Sequence, residues 1–466
     1  MGSGFLTLPW AFYQVGLIVG IGTLLFTCAV ALLSVLFVLE SISRGQLLFS
    51  LRSKNYHLLK PDSNDVNESL SLAQNKSYIC TDFKMEIPEI CELFIGKSGK
   101  RLYTLCLAVY LYSSLWLYCS VFANAFSNHF PIITPYDNTD DYKADNYYLY
   151  LFLFGLVVVP TSCLELKEQV YFQVMLTCGR FLMVTCMVIT VLVAYCTKSN
   201  DFHLEKFDPS SIEDNMNFII HHSRLFNLHL ILPLAMFAGI FHHSIPALIE
   251  PIKRKQDSHY IFSTALLCCY SLYALAAVVT CCYFGKEVQS SSNLMWNLYS
   301  RSIVVTKSEG GDHGEVRVTE PTLLSSLVGF FVVFFPAFDV GTVFPLCAVT
   351  LGNNLMSTYY GEAIHSVQGS REHRIRFRVL AALPPVFLAS FVSDLGVISG
   401  YTGLAGFVIV LVFPALLSFY SKRILERNHL PVKTHYSSFL TADPVLVAVF
   451  AFGVAIIIFV ILSGGN

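Results

Sequence analysis

The run Ala238-Gly239-Ile240-Phe241-His242-His243-Ser244-Ile245-Pro246 interrupts an apolar stretch, His229 to Ile249, that is otherwise long enough to cross a bilayer. A hydrocarbon core of about 30 Å is crossed by about 20 helical residues, and inside it every backbone N–H and C=O must find a partner. Glycine permits a non-helical backbone, and a proline soon afterwards suits the first turn of a new helix. The stretch therefore reads as two half-helices joined by an unwound segment, which membrane depth tolerates only where it lines a cavity or a ligand site. Gly239, Phe241, His242 and His243 become candidate substrate-binding residues on that ground.

The same pattern stands at the start of the chain, where Gly2-Ser3-Gly4 precedes Phe5-Leu6-Thr7-Leu8-Pro9. If residues 1–14 are the latter half of a first span, the second interruption falls in the sixth, where a five-helix inverted repeat places the partner of the first. Gly2, Ser3 and Gly4 then join the candidate substrate-binding set. Half-helix N-termini would aim unpaired N–H groups and positive dipole ends at the bilayer midplane, a site fit for a carboxylate. Glycine and proline that merely kink a helix are the bland alternative.

The rest of the sequence agrees with a lipid environment. Of 466 residues 54% are apolar and 13% charged, about half the charge of an ordinary soluble domain. Ten stretches meet or approach spanning length: Gly16 to Glu40, Leu102 to Ser127, Tyr147 to Cys163, Tyr171 to Cys196, His229 to Ile249, Ile261 to Phe284, Leu323 to Val349, Val379 to Ile398, Tyr401 to Tyr420 and Phe439 to Leu462. With the partial first span at 1–14 they make a single polytopic domain, residues 1–466. Runs this long without alternation exclude a β-barrel, so the expected fold is an all-α integral membrane protein.

Charge gives the orientation. Loops 42–101, 164–170, 250–260, 350–378 and 421–438 hold 21 Lys and Arg, and loops 128–146, 197–228 and 285–322 hold 8. The first set, including the long 42–101 loop, is expected to be cytoplasmic. The sequons at Asn67 and Asn75 then never meet the glycosylation machinery. A net charge of −2 offers no footprint for nucleic acid, and most of the 14 cysteines lie in apolar runs, without zinc spacing or a disulfide framework. No basic region precedes the first apolar stretch, so no removable signal peptide is expected.

At GSGFLTLPWAF (2–12), EIPEICELFIGKSGKRLYTLCLAVYLY (86–112), FHHSIPALIEPI (241–252) and FPLCAVTLGNNL (344–355) the chain resembles the amino acid and auxin permease family, over nearly its whole length. The resemblance implies a LeuT-like 5+5 inverted repeat plus an eleventh helix. It also implies a cytoplasmic N-terminus, and amino acid transport driven by Na+ or H+ with no cofactor beyond that ion. The implied residence is the plasma membrane or an endolysosomal membrane. Relative to the family the chain lacks a cytoplasmic tail and the first half of helix 1, so a truncated, non-transporting isoform is a further expectation to test.

Ionisable side chains deep in a membrane are functional candidates by default. Arg180 in the fifth span and Asp339 in the eighth each lie about ten residues from the cytoplasmic end, roughly 15 Å deep at 1.5 Å per residue. In the resembled fold helices 1, 5 and 8 surround a cation site, and a basic residue on helix 5 replaces sodium in some proton-coupled relatives. The resemblance thus implies that Arg180, paired with Asp339 and near Thr342, serves ion coupling. A static pair that orients two helices is the competing reading. One of His242 and His243 is expected to titrate or to bind substrate. Tyr103, Tyr110, Tyr112 and Tyr118 line the third span as a packed aromatic face or a cavity edge, and Gly16 and Gly20 suit close helix packing.

Two other classes of function stand beside transport. An amino-acid-sensing receptor would use the same interruptions and signal through the 42–101 loop without net transport. A membrane enzyme is disfavoured, because no His/Asp or Cys/His constellation stands at a cytoplasmic helix end.

Overall fold

The structure, a computed structural model, describes residues 3–57, 78–81, 85–133, 141–164, 170–197, 201–202, 209–221, 224–297, 299, 304–305, 317–318, 322–361 and 370–464. A 3-10 turn, Ser3–Thr7, leads into α1 (Leu8–Val15), and α2 (Leu17–His57) follows. Next come α3 (Ile87–Phe94), α4 (Lys97–His129), α5 (Asp141–Ser162), α6 (Val170–Thr197), α7 (Pro209–His221), α8 (Leu228–Ala238), α9 (Ile245–Ile249) and α10 (Ser258–Phe284). The last are α11 (Leu323–Tyr360), α12 (Arg371–Ala389), α13 (Leu395–Phe407), α14 (Phe413–Arg427) and α15 (Asp443–Gly464). The strands among the described residues are two short ones, β1 (Val304–Val305) and β2 (Arg317–Val318), paired antiparallel with Val304 opposite Val318.

Nine helical stretches among the described residues are long and apolar enough to cross a membrane. Their outward faces carry large apolar side chains that water would not tolerate in such number, among them Phe152 at 66% exposure and Leu462 at 69%. The molecule is a multi-pass helical membrane protein. All fourteen cysteines are free thiols.

By internal packing the chain falls into two units. The first comprises Met1–Thr23, Leu111–Ala238 and Ser271–Tyr401. Its centre is α11, against which α5, α6, α12 and the buried 3-10 stretch Ser292–Asn297 pack. Trp296 of that stretch is fully buried and donates its indole N–H to Thr190 Oγ1 at 3.0 Å, while Asn293 Nδ2 donates to the Val333 carbonyl at 3.2 Å. In the same unit Pro384 deprives the Leu380 carbonyl of its helical partner, and the Tyr112 hydroxyl takes that place at 2.9 Å. Tyr112→Phe should therefore cost about 1–2 kcal/mol, and little once Pro384→Ala has restored the helical N–H. Equal losses in both backgrounds, read by thermal unfolding in detergent, would overturn this account.

The second unit comprises Leu24–Tyr110, Gly239–Tyr270 and Thr402–Asn466. Here α3 begins with a capping box between Glu86 and Glu89 and a proline in its first turn, and Gly96, at φ 95°, makes the turn into α4. α14 packs against α3 and α15. Between α13 and α14 the residues Val408–Val412 form one π-helical turn, and Ser34 of α2 donates to the Val410 carbonyl within it.

Several boundaries differ from the sequence expectation. Helix α2 runs on to His57, so residues 42–57 are helix and not part of a 42–101 loop, and α4 already begins at Lys97. The expected division of 379–398 from 401–420 at Gly400 is also wrong. The chain turns at residues 390–394, after α12 has started at Arg371, and helix continues from Leu395 to Arg427. Polar residues from Ser41 to Gln46, satisfied by partners that the fold supplies, hide the continuation of α2, and Gly400 does not break the helix that contains it. Gly16 is a joint and not a packing residue: its φ of 87° breaks α1 from α2. Gly20 does allow close packing, since a β-carbon there would come within 2.8 Å of the Phe12 ring. The sequons at Asn67 and Asn75 lie outside the described residues.

Candidate functional site

The membrane-spanning stretch Leu225–Ile249 is interrupted where its sequence says it should be. Helix α8 stops at Ala238, Gly239 to Phe241 are non-helical, His242–Ser244 make a 3-10 turn, and α9 starts at Ile245 with Pro246 in its first turn. The reason is partly spatial. A β-carbon on Gly239 would collide with the Tyr270 hydroxyl and come within 2.7 Å of its ring carbons. Phe241 lies against Phe262, ring centroids 5.7 Å apart, and His243 against Tyr110 at 5.3 Å. His242 is 1% exposed, and its Nε2–H donates to the Ala31 carbonyl of α2 at 3.0 Å.

At the start of the chain, Gly2 is outside the described residues and Ser3 opens the 3-10 turn. Gly4 packs on the end of α8, where a β-carbon would come within 2.5 Å of Phe237 and 3.2 Å of the Ala238 Cα. The N-terminal 3-10 turn thus touches, in the first unit, the last two residues of α8. Phe5 stacks on Tyr273 of α10, centroids 5.6 Å apart and planes 2° from parallel. Tyr273 and Tyr118 in turn interact electrostatically with Arg180.

Arg180 and Asp339 meet as a two-pronged pair. Nε donates to Oδ2 at 2.9 Å and Nη2 to Oδ1 at 2.7 Å, with the two side chains 13% and 14% exposed. The planar guanidinium fork matches the carboxylate, the stronger geometry for such a pair. Gly179 makes it possible, because any β-carbon there would overlap Phe335 of α11, so α6 and α11 approach closely one residue away from Arg180. Thr342 donates its hydroxyl to the Asp339 backbone carbonyl at 2.8 Å, within the same helix, and not to the carboxylate. Phe5, Phe237 and Tyr273 were missed by sequence reasoning, since nothing in an apolar run distinguishes a ring that lines a site.

A second buried charge cluster, in the second unit, was also missed. Glu40 is fully buried and Arg44 2% exposed, and they pair at 3.1 Å one helical turn apart. Glu40 Oε1 accepts from Ser437 at 2.5 Å and Thr441 at 3.1 Å, and Oε2 from Ser418 at 3.1 Å. Arg44 donates to the carbonyls of Val432 and Ser418, each at 3.2 Å, and to the Ser421 hydroxyl at 3.2 Å. The alternating opposite charges four residues apart were a signal, read instead as the end of a span. Among the described residues no cluster suited to a metal ion is present.

The sequence pattern described as transmembrane amino acid transporter protein matches residues 1–463. The chain belongs to that family. Among similar proteins is Transmembrane protein 104 of Pongo abelii, 25% identical over 467 residues, which cover 91% of this chain and 85% of the relative. The Transmembrane protein 104 homolog of Dictyostelium discoideum is 24% identical over 498 residues, 94% of this chain and 90% of the relative. The human protein of that name is 25% identical over 467 residues, again 91% of this chain and 85% of the relative. The family is one of transporters.

Proposed function

We propose that the protein is an ion-coupled secondary transporter of amino acids, a symporter working by alternating access on a LeuT-like 5+5 inverted repeat with an eleventh helix. Unwound backbone at Gly239 to Phe241 supplies peptide groups to a zwitterionic substrate, the N–H groups released from helix taking its carboxylate. Arg180 and Asp339 couple substrate movement to a cation gradient, Na+ or H+. The loops rich in Lys and Arg face the cytoplasm, and the resident membrane is the plasma membrane or an endolysosomal one.

The observation that carries the reading is the interruption of helix at Gly239–Ser244 with Gly4 packed on the helix that precedes it. Membership of the family supports it further. Phe5 stacks on Tyr273, which stands within electrostatic range of the Arg180–Asp339 pair.

The test is uptake of a panel of amino acids into proteoliposomes, with sodium and proton gradients imposed separately. Accumulation of at least one amino acid that collapses when one gradient is removed is the expected result. Saturable binding of an amino acid without uptake under either gradient would overturn transport in favour of a sensing receptor.

A further inference from the structure

We propose that His242 is a proton-binding site, and that a proton taken up on its Nδ1 opens the interrupted segment Gly239–Ser244. This rests on the transporter reading for its purpose, which would be proton coupling, and on the local geometry for its chemistry.

The Ala31 carbonyl can only accept, so the hydrogen bond from His242 Nε2 fixes the neutral ring as the tautomer with its proton on Nε2. Nδ1 then carries a bare lone pair. That atom is buried and has no hydrogen-bond partner among the described residues. A buried acceptor left without a partner destabilises the closed form, as an apolar ring of similar size would not. The imidazole sits on a 3-10 turn beside the unwound residues, packed against the π-helical turn Val408–Val412. A π turn and an interrupted helix in contact are two irregular segments of the kind found where proteins move or bind.

The groups that face this segment are accounted for. From α4 comes Tyr110, against His243, and from α10 come Tyr270, against Gly239, and Phe262, against Phe241. Cys28 of α2 stands beside Tyr270, and the π turn contributes only Val408, Ile409, Val410, Leu411 and Val412. On α2 the buried charges Glu40 and Arg44 are satisfied by each other and by residues 418–441. Apart from Glu40, which Arg44 already neutralises, none of these groups is a carboxylate. An imidazolium enclosed here would keep its bond to Ala31 but leave its charge uncompensated, which strongly disfavours it.

The sign follows. In the closed segment the ring must be neutral, whereas an opened segment hydrates it and returns it to the ordinary histidine range near pH 6.5. Protons bind preferentially to the open form, so the open population rises as pH falls through that range, by up to about tenfold per pH unit for one proton. His243 also has a buried, unpartnered Nδ1, but no hydrogen bond among the described residues fixes which of its ring nitrogens carries the proton, so its Nδ1 is not bound to be the bare one.

Hydrogen–deuterium exchange of residues 239–249 in lipid nanodiscs at pH 7.5 and 5.5, corrected for intrinsic exchange, tests this. The native protein and His243→Gln should lose about tenfold in protection at the lower pH. His242→Gln, whose side-chain amide can still donate to Ala31 but does not titrate, should lose none. An unchanged pH response in His242→Gln, or no response in the native protein, overturns the proposal. Should that variant fail to fold, solid-state nitrogen NMR of histidine-labelled protein decides: a neutral His242 protonated on Nε2 at pH 7.5 supports it, and a charged ring overturns it. A pH response in exchange without uptake of any amino acid removes the transport reading alone. Sodium-driven uptake without that response removes the proton site alone.

Discussion

Asp339→Asn is expected to lower the stability of the folded protein by about 3–5 kcal/mol, the usual cost of removing one partner of a buried ion pair. The amide cannot accept both guanidinium donors as a carboxylate does, so Arg180 is left charged, 13% exposed and poorly matched. Relief by rearrangement is restricted, because α6 is held against Phe335 at Gly179 and α11 carries Pro336 and Pro345 on either side of Asp339. Arg180→Ala should cost a similar amount. The double substitution Arg180→Met with Asp339→Leu should recover most of the loss, since apolar replacement of a whole buried pair is often neutral. Thermal unfolding in nanodiscs reads all three. A loss below about 1 kcal/mol in the single variant, the range of exposed pairs, would show that the pair is solvated in the membrane. If the double variant also kept its dependence on an ion gradient in uptake, Arg180 and Asp339 would be scaffold and not coupling residues.

Arg44→Ala should be nearly as damaging, by about 3–5 kcal/mol. It removes the counter-charge from a fully buried Glu40 and leaves the carbonyls of Ser418 and Val432 without their donor. Arg44→Lys is expected to rescue little, because a single ammonium cannot reach Glu40, Val432, Ser418 and Ser421 in the directions that the guanidinium serves. Yield of monodisperse protein and its unfolding temperature are the measurements. Native behaviour of Arg44→Lys would mean that charge alone, and not the planar fork, holds α2 to residues 418–441.

These two pairs differ in how far the amino-acid sequence alone makes them legible. Arg180 and Asp339 each stand alone in a long apolar run, and their equal depth suffices to match them. Glu40 and Arg44 sit where a span meets polar sequence, so snorkelling into the interface is the cheaper reading. Only the fold reveals the serines and threonines at 418, 421, 437 and 441 that bury them. The interruption of the sixth span is legible because glycine and proline act locally. The turn at residues 390–394 is not, because helix α13 passes through Gly400 without breaking and the turn is held instead by α4, where Trp116 donates to Val392 O and Asn124 to Ser393 O. Likewise Trp296, in a stretch that reads as a loop, is buried by partners more than a hundred residues away.

The Glu40 cluster also bears on how the protein is made. Its partners on α14 and beyond follow 378 to 401 residues later, so the second helix must enter the bilayer long before the groups that will surround it exist. Placing the two opposite charges one turn apart on a single helix lets them neutralise each other in the interval. Completion of the cluster then becomes a late event in biogenesis, and a ribosome that stops before the last two spans should release a chain whose second helix remains recognisable to quality control as unfinished.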